Sequence, residues 1–222
     1  MDRLQLNLLS QKIKIASEHI LREYFEMAIL QIFSDTNLTK DMIFYGGTAL
    51  RLAYNGIRFS EDLDFLIINE IKVNKLKEIL SELTKKYMEL SLVEIKDKRN
   101  TLFALLKIQH SSLKYPRHIK IEICKKKNGI KSEYRLISSQ CSNLTPLIQT
   151  ATLESLECAK IKAINGRNEP RDFFDFWLIE NLLKKPVVFP KTIPFEHNEF
   201  KRELKRFIPQ NKWLIIDQIL KC

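Results

Sequence analysis

Tyr45-Gly46-Gly47-Thr48-Ala49-Leu50 and, a few residues on, Arg58-Phe59-Ser60-Glu61-Asp62-Leu63-Asp64-Phe65 form the stretch on which the reading of this 222-residue chain turns. Asp62 and Asp64 stand two apart at the mouth of an apolar run, Phe65-Leu66-Ile67-Ile68, that reads as a strand. Side chains at i and i+2 of a strand share a face, so the two carboxylates converge. Like charges side by side repel unless a cation neutralises them, and Mg²⁺, or Mn²⁺ in its place, suits carboxylate and phosphate oxygens. The glycines belong to the same scheme. Gly46 and Gly47 let backbone approach a ligand closely, and a Gly-Gly-Thr turn entering a helix offers N–H groups to phosphate. Ser60 adds a hydroxyl beside them, and Thr48 either contacts phosphate or caps the helix.

Working outward, Ser10 to Phe33 carries helical periodicity (Ile13, Ala16, Ile20, Tyr24, Ala28, Ile32), as does Val73 to Tyr87 (Leu76, Ile79, Leu80, Leu83). A short helix starts near Gly47. Between them and residue 140, the runs Leu92–Ile95, Thr101–Ile108 and Ile119–Ile123 read as strands. In the last, Ile119, Ile121 and Ile123 take one face, and Lys120 and Glu122 the other. Glu122 is therefore either a third carboxylate beside the aspartates or a solvated strand-face residue. Turns are expected at Lys98-Arg99-Asn100, Tyr115-Pro116-Arg117 and Lys127-Asn128-Gly129. Beyond Pro146 the pattern is helical: Thr152–Ile164, Asp172–Leu183, and one or two helices within Glu199–Ile219, with Pro186, Pro190 and Pro194 breaking the chain between.

The glycine turn, the Asp-x-Asp strand and a later acidic strand residue resemble the hallmark of the DNA polymerase β-type nucleotidyltransferase superfamily. More narrowly, the stretch from Gly46 through Phe65, with the late run Glu157-Cys158-Ala159-Lys160, Ala163, Arg167 and Arg171-Asp172-Phe173-Phe174-Asp175, resembles the nucleotidyltransferase toxins of the AbiEii/AbiGii family. The resemblance spans residues 40 to 180. It implies an α+β fold with a polymerase β-type core, a mixed sheet flanked by helices, over residues 1–140. A helical C-terminal region over 141–222 closes the active-site cleft. It implies a metal-dependent enzyme that moves an NMP from an NTP to an RNA acceptor, tRNA being the best match, as the toxin of a bacterial toxin–antitoxin or phage-defence (abortive infection) system with a cognate antitoxin. A protein or small-molecule acceptor is the alternative within the fold; a catalytically silent binding module is the alternative outside it. The expected metal ligands are Asp62, Asp64 and Glu122. Lys160 is the expected catalytic cation, with Arg167 and Arg171 on nucleotide phosphate.

The late run has its own physical logic. Lys160 and Ala163 share a helix face, with Arg167 one turn on. Lysine meets phosphate as a compact charge, and arginine clamps two oxygens. Asp172 and Asp175, at i and i+3, orient such cations from behind, and Asp172 is also placed to cap its helix. Phe173, Phe174, Phe176 and Trp177 are expected to pack that helix on the core. The formal net charge is +10, and the stretch from Glu94 to Arg135 is the most basic. Lys114, Arg117, Lys125, Lys126 and Lys127, extended by Tyr115 and His118, are the expected RNA-binding flank. The same lysines also protect a strand edge. Four cysteines without a CxxC pair and four scattered histidines give no zinc motif and favour free thiols. No apolar stretch approaches the roughly 20 residues of a membrane span, so a soluble cytoplasmic protein without membrane association is expected.

Overall fold

A computed structural model describes residues 1–126 and 129–221. Helices α1 (Arg3–Ile13) and α2 (Ser17–Asp35) lead into strand β1 (Met42–Tyr45), helix α3 (Gly46–Ala53) and strand β2 (Asp62–Ile67). Helix α4 (Val73–Lys86) is followed by β3 (Leu90–Asp97), β4 (Thr101–Ile108), β5 (Arg117–Cys124), β6 (Ser132–Leu136) and β7 (Leu147–Ala151). Helices α5 (Leu153–Gly166), α6 (Pro170–Leu182), α7 (His197–Lys205) and α8 (Leu214–Ile219) complete the chain. The strands form one mixed sheet in the order β3-β4-β5-β2-β1-β7-β6.

The alternation in β5 sets the sheet's two faces. Ile119, Ile121 and Ile123 are wholly buried, whereas Lys120 and Glu122 are partly exposed. Strand β2 behaves likewise, with Leu63 and Phe65 buried and Asp62 and Asp64 on the other face. Helices α2 and α4 cover the apolar side, α4 through Leu76, Ile79, Leu80 and Leu83. Burying such side chains contributes about 1.5–3 kcal/mol each. A second apolar cluster joins the C-terminal helices: Phe173, Phe174 and Phe176 of α6 pack with Phe200, Leu204, Ile208, Ile216 and Ile219. Thr152 caps α5 by accepting from the Ser155 N–H, and Pro170 occupies the first turn of α6.

Two expectations are corrected, and one strand gives no sequence signal. Ser10–Phe33 is not one helix, because Lys14 adopts φ 64° and Ala16 is extended, which ends α1 and restarts the chain as α2. The apolar period crosses the break only in sequence: Ala16, which it counts, is exposed, and Ile15 is buried there instead. Residues 42–45 form the strand β1, too short and uniformly apolar to show a period. Leu147–Ala151, directly after Pro146, is the strand β7, parallel to β1. Among the described residues no helix is long and apolar enough to cross a membrane. Cys124, Cys141 and Cys158 are free thiols; Cys222, Lys127 and Asn128 lie outside the described residues.

Candidate active site

Strand β1 ends at Tyr45 and α3 starts at once with Gly46, which has φ 84°. A Cβ on Gly46 would stand 2.6 Å from Asp64 Oδ2; one on Gly47 would stand 2.4 Å from Arg58 Nη2 and 2.9 Å from Ser60 Oγ. The glycines therefore let the turn press against the carboxylate and the arginine. Tyr45 gives α3 no side-chain cap, so first-turn N–H groups stay available beside the cleft. Thr48 is fully buried and neither caps the helix nor lines the cleft. Its hydroxyl donates to the Asp62 carbonyl oxygen, pinning α3 to the start of β2.

Register builds the acidic wall. In the parallel pair β2–β5, Asp62 lies opposite Lys120 and Asp64 opposite Glu122; in the antiparallel pair β1–β2, Tyr45 lies opposite Asp64. Lys120 Nζ is 3.2 Å from Asp62 Oδ2 and 3.5 Å from Glu122 Oε2. Burial, with the charges of Asp62 and Glu122, pushes the Asp64 carboxyl up to about 6, against the pull of Lys120 and Lys160. Among the described residues no three His, Cys, Asp or Glu side chains form a ready-made metal cage. A cage is not what Mg²⁺ requires: it is commonly held by one or two carboxylates together with substrate phosphates and water. The crowded Asp62/Asp64 pair fits that chemistry.

The opposite wall comes from α5, α6 and the Arg58 loop. Arg58 donates from Nε and Nη2 to the two oxygens of Asp175, both at 2.8 Å, and from Nη1 to the Phe59 carbonyl at 2.8 Å. Lys160 Nζ reaches Asp172 Oδ1 at 2.9 Å and Asp175 Oδ2 at 2.7 Å. Arg167 grips Asp172 at 2.8 and 3.2 Å. Burial opposes ionisation of Asp175, but Arg58 and Lys160 outweigh it and hold its carboxyl down to about 2. Asp172 is likewise held below its ordinary range by Arg167 and Lys160 against burial. Asp172 caps nothing; Glu169 occupies the cap position of α6.

Between the walls lies a cleft of about 330 Å³ lined by Gly46, Gly47, Ser60, Asp62, Asp64, Lys120 and Glu122 on one side and Lys160, Arg167, Arg171 and Asp172 on the other. The expected metal-binding and nucleotide-binding residues, Thr48 excepted, and Asp172 thus meet in one place, whereas Asp175 is fully buried behind it. Two residues of the site went unassigned from sequence, Arg58 and Lys120. The signal for Lys120 was present, since the alternation that exposes Glu122 exposes its i−2 neighbour. Arg58 carried no such signal, because its partner Asp175 lies 117 residues away.

The expected RNA flank is not assembled as one patch. Arg117 opens β5 and pairs with Glu18; Lys125 follows the other end of the same strand and pairs with Asp97. An eight-residue strand separates them by roughly 20 Å or more. Lys114 lies over the Tyr115 ring, 5.4 Å from its centroid. Neither these residues nor Lys126 line the cleft.

Comparison with known proteins supplies a family and likenesses of fold. The family described as "Nucleotidyl transferase AbiEii toxin, Type IV TA system" matches residues 28–210. Among solved structures, JHP933 from Helicobacter pylori superposes with a TM-score of 0.58 at 20% identity, over 93% of this chain and 94% of that one. The nucleotidyltransferase toxin MenT4 from Mycobacterium tuberculosis superposes with a TM-score of 0.59 at 17% identity, over 90% of this chain and 68% of that one. At these identities the two structures are likenesses of fold. No curated protein sequence matches the chain.

Proposed function

The chain belongs to the AbiEii nucleotidyl transferase toxin family, and from that premise we propose that it transfers an NMP from an NTP to an RNA acceptor, tRNA, in the cytoplasm, under the control of a cognate antitoxin. The observation that carries this reading is the facing of two walls: Asp62 and Asp64 on β2 beside Glu122 on β5, and Lys160, Arg167 and Arg171 across a cleft of about 330 Å³.

The acceptor oxygen attacks the α-phosphorus in line. The bond from Pα to the bridging β-oxygen breaks, pyrophosphate leaves, and the hydroxyl proton passes to solvent. Such a transfer is governed by positioning and charge compensation. Asp62 and Asp64, with Glu122 beside them, would hold Mg²⁺ or Mn²⁺, which supplies activation of the attacking oxygen and neutralisation of the triphosphate. The first-turn N–H groups of α3, at Gly46 and Gly47, and the Ser60 hydroxyl position phosphate. Lys160, held at two carboxylates with its side chain 12% exposed, offers a fixed positive charge to the pyrophosphate side. Arg167 and Arg171 extend that charge outward. Asp172 and Asp175 set the positions of Lys160, Arg167 and Arg58. Helices α5 and α6, with the turn between them, supply this second wall and so close the cleft.

The test is to incubate the purified protein with Mg²⁺, each α-³²P-labelled NTP in turn, and total tRNA, a protein extract or an aminoglycoside. Label on tRNA from one preferred NTP is the expected result. Label on protein or on the small molecule would retain the reaction and discard the RNA acceptor. No transfer to any of them would leave a binding module.

A further inference from the structure

A second cleft, of about 540 Å³, lies beside the first. Three separate stretches of chain build it: the break between α1 and α2, the Phe59–Glu61 loop that leads into Asp62, and the segment from Lys205 to Trp213. Two backbone hydrogen bonds stitch these together. Phe59 N–H donates to the Phe207 carbonyl at 2.8 Å, and Gln210 N–H donates to the Lys14 carbonyl at 2.8 Å. The left-handed turn at Lys14 that ends α1 is therefore what brings this side chain to the rim.

Its chemistry is cationic and aromatic. Lys14, Lys205 and Arg206 are exposed on the rim, and Trp213 stands partly exposed with Lys205 Nζ 4.6 Å from its ring centroid. Ile15 and Phe207 form an apolar floor. The acids that line it are already engaged, Glu18 with Arg117 and Glu61 with Arg22 at 3.0 Å. His19, only 4% exposed, lines the cavity with an Nδ1 that has no hydrogen-bond partner. Exposed cations, a flat aromatic surface and a spare polar edge are what a nucleotide unit of a single strand recognises.

The two clefts share a wall. Glu61 lines the second and precedes Asp62; Arg171 lines the first, lies 3.8 Å from Glu61, and stands over the Phe207 ring at 5.2 Å. A strand seated in the second cleft thus reaches the reaction centre by passing Glu61 and Arg171. Lys14, Ile15, His19 and Trp213 fall outside residues 28–210, the part the family match covers, whereas Glu61, Lys205, Arg206 and Phe207 fall within it.

We propose that the second cleft seats a nucleotide of a single-stranded RNA acceptor, with Lys14, Lys205 and Arg206 on its phosphates and Trp213 against its base. The inference rests on the RNA-acceptor reading given above and assigns that acceptor a place. It replaces the lysine-rich flank of β5, whose cations the fold separates.

The experiment measures fluorescence anisotropy of a short labelled single-stranded RNA with the full chain, across a salt series. It compares Lys14→Glu/Lys205→Glu/Arg206→Glu, the milder Lys14→Gln/Lys205→Gln/Arg206→Gln, and Lys77→Glu/Lys85→Glu/Lys86→Glu on α4 as a control of equal charge change. Thermal unfolding verifies that each variant folds. The cleft variants should lose about tenfold or more in affinity. Their slope of log K against log salt should fall by about 2, at about 0.7 per lost single-strand phosphate contact. The α4 control should shift neither beyond about twofold. Wild-type binding matched by both cleft variants overturns the placement and leaves the RNA acceptor standing. Loss on Lys125→Glu/Lys126→Glu with none on the cleft variants returns the RNA to β5 and also overturns it. No RNA binding by the wild-type protein, with transfer to another acceptor intact, removes both the placement and the RNA reading.

Discussion

On the sheet side of the cleft, Asp62, Asp64 and Glu122 stand together with Lys120 as their nearest compensating charge; Asp62 and Glu122 are 40% and 38% exposed. On the helical side, Arg58, Lys160 and Arg167 are matched by Asp172 and Asp175, whose side chains are 1% and 2% exposed. Both walls are dense in charge, yet they differ in what the charge does for the fold. Apart from the exposed Arg167, the helical network is buried and paired, so removing a buried member strands its partners in low dielectric. The sheet wall is crowded with like charge, and the elevated Asp64 carboxyl reflects its burial first and then repulsion by Asp62 and Glu122, both of which a bound cation offsets. Stability resides on one side and unmet demand for a ligand on the other.

The contrast is sharpest in unfolding free energy, and four changes probe it in descending order. Asp175→Ala leaves Arg58 and Lys160 without their shared carboxylate and should cost about 3–5 kcal/mol, read by urea denaturation. A loss under 1 kcal/mol would mean that water reaches the network and that the two walls are alike. Next comes pH. The Asp175 pKa is lowered in the fold from 3.8 to about 2, so its contribution is complete above pH 4 and disappears as pH falls from about 4 to about 2. The contribution is about 2 kcal/mol, and Asp175→Asn should flatten the acid limb of the stability profile by that amount. Third, Gly46→Ala should cost about 1–2 kcal/mol from the left-handed backbone alone, with more from the contact to Asp64 Oδ2. Equal stability would show that the turn tolerates a side chain and does not press on the carboxylate. Smallest, and opposite in sign, Asp64→Asn measured in EDTA should stabilise by about 1 kcal/mol or less. Destabilisation there would make the sheet wall structural and erase the comparison.

The two walls were also unequally legible in the sequence. The sheet wall is local: Gly46 to Asp64 lie within one short stretch, and period-two spacing alone puts both aspartates, and Lys120 with Glu122, on shared faces. What spacing could not supply was the pairing of β2 with β5, which sets Asp64 opposite Glu122. The helical wall is non-local. The Lys160–Asp172 pair spans two helices, and Arg58–Asp175 joins the motif loop to α6, so residue types suggested roles while contacts stayed hidden. Strand β7 was missed because Leu147-Ile148-Gln149-Thr150-Ala151 is short and lies between a proline and a helix cap. The break at Lys14 was missed because helical periodicity reports which side is buried, not whether the backbone is continuous.

The most direct test is NTP turnover by Asp62→Asn/Asp64→Asn, followed as pyrophosphate release with Mg²⁺ and acceptor, beside NTP binding by the same protein. The account predicts a fold at least as stable as wild type, binding retained within about tenfold through the cationic wall, and release reduced by about 10³-fold or more, the scale for losing preorganised charge at the reacting centre. Release at the wild-type rate would contradict it, for the chemistry would then lie elsewhere than on the β2 carboxylates.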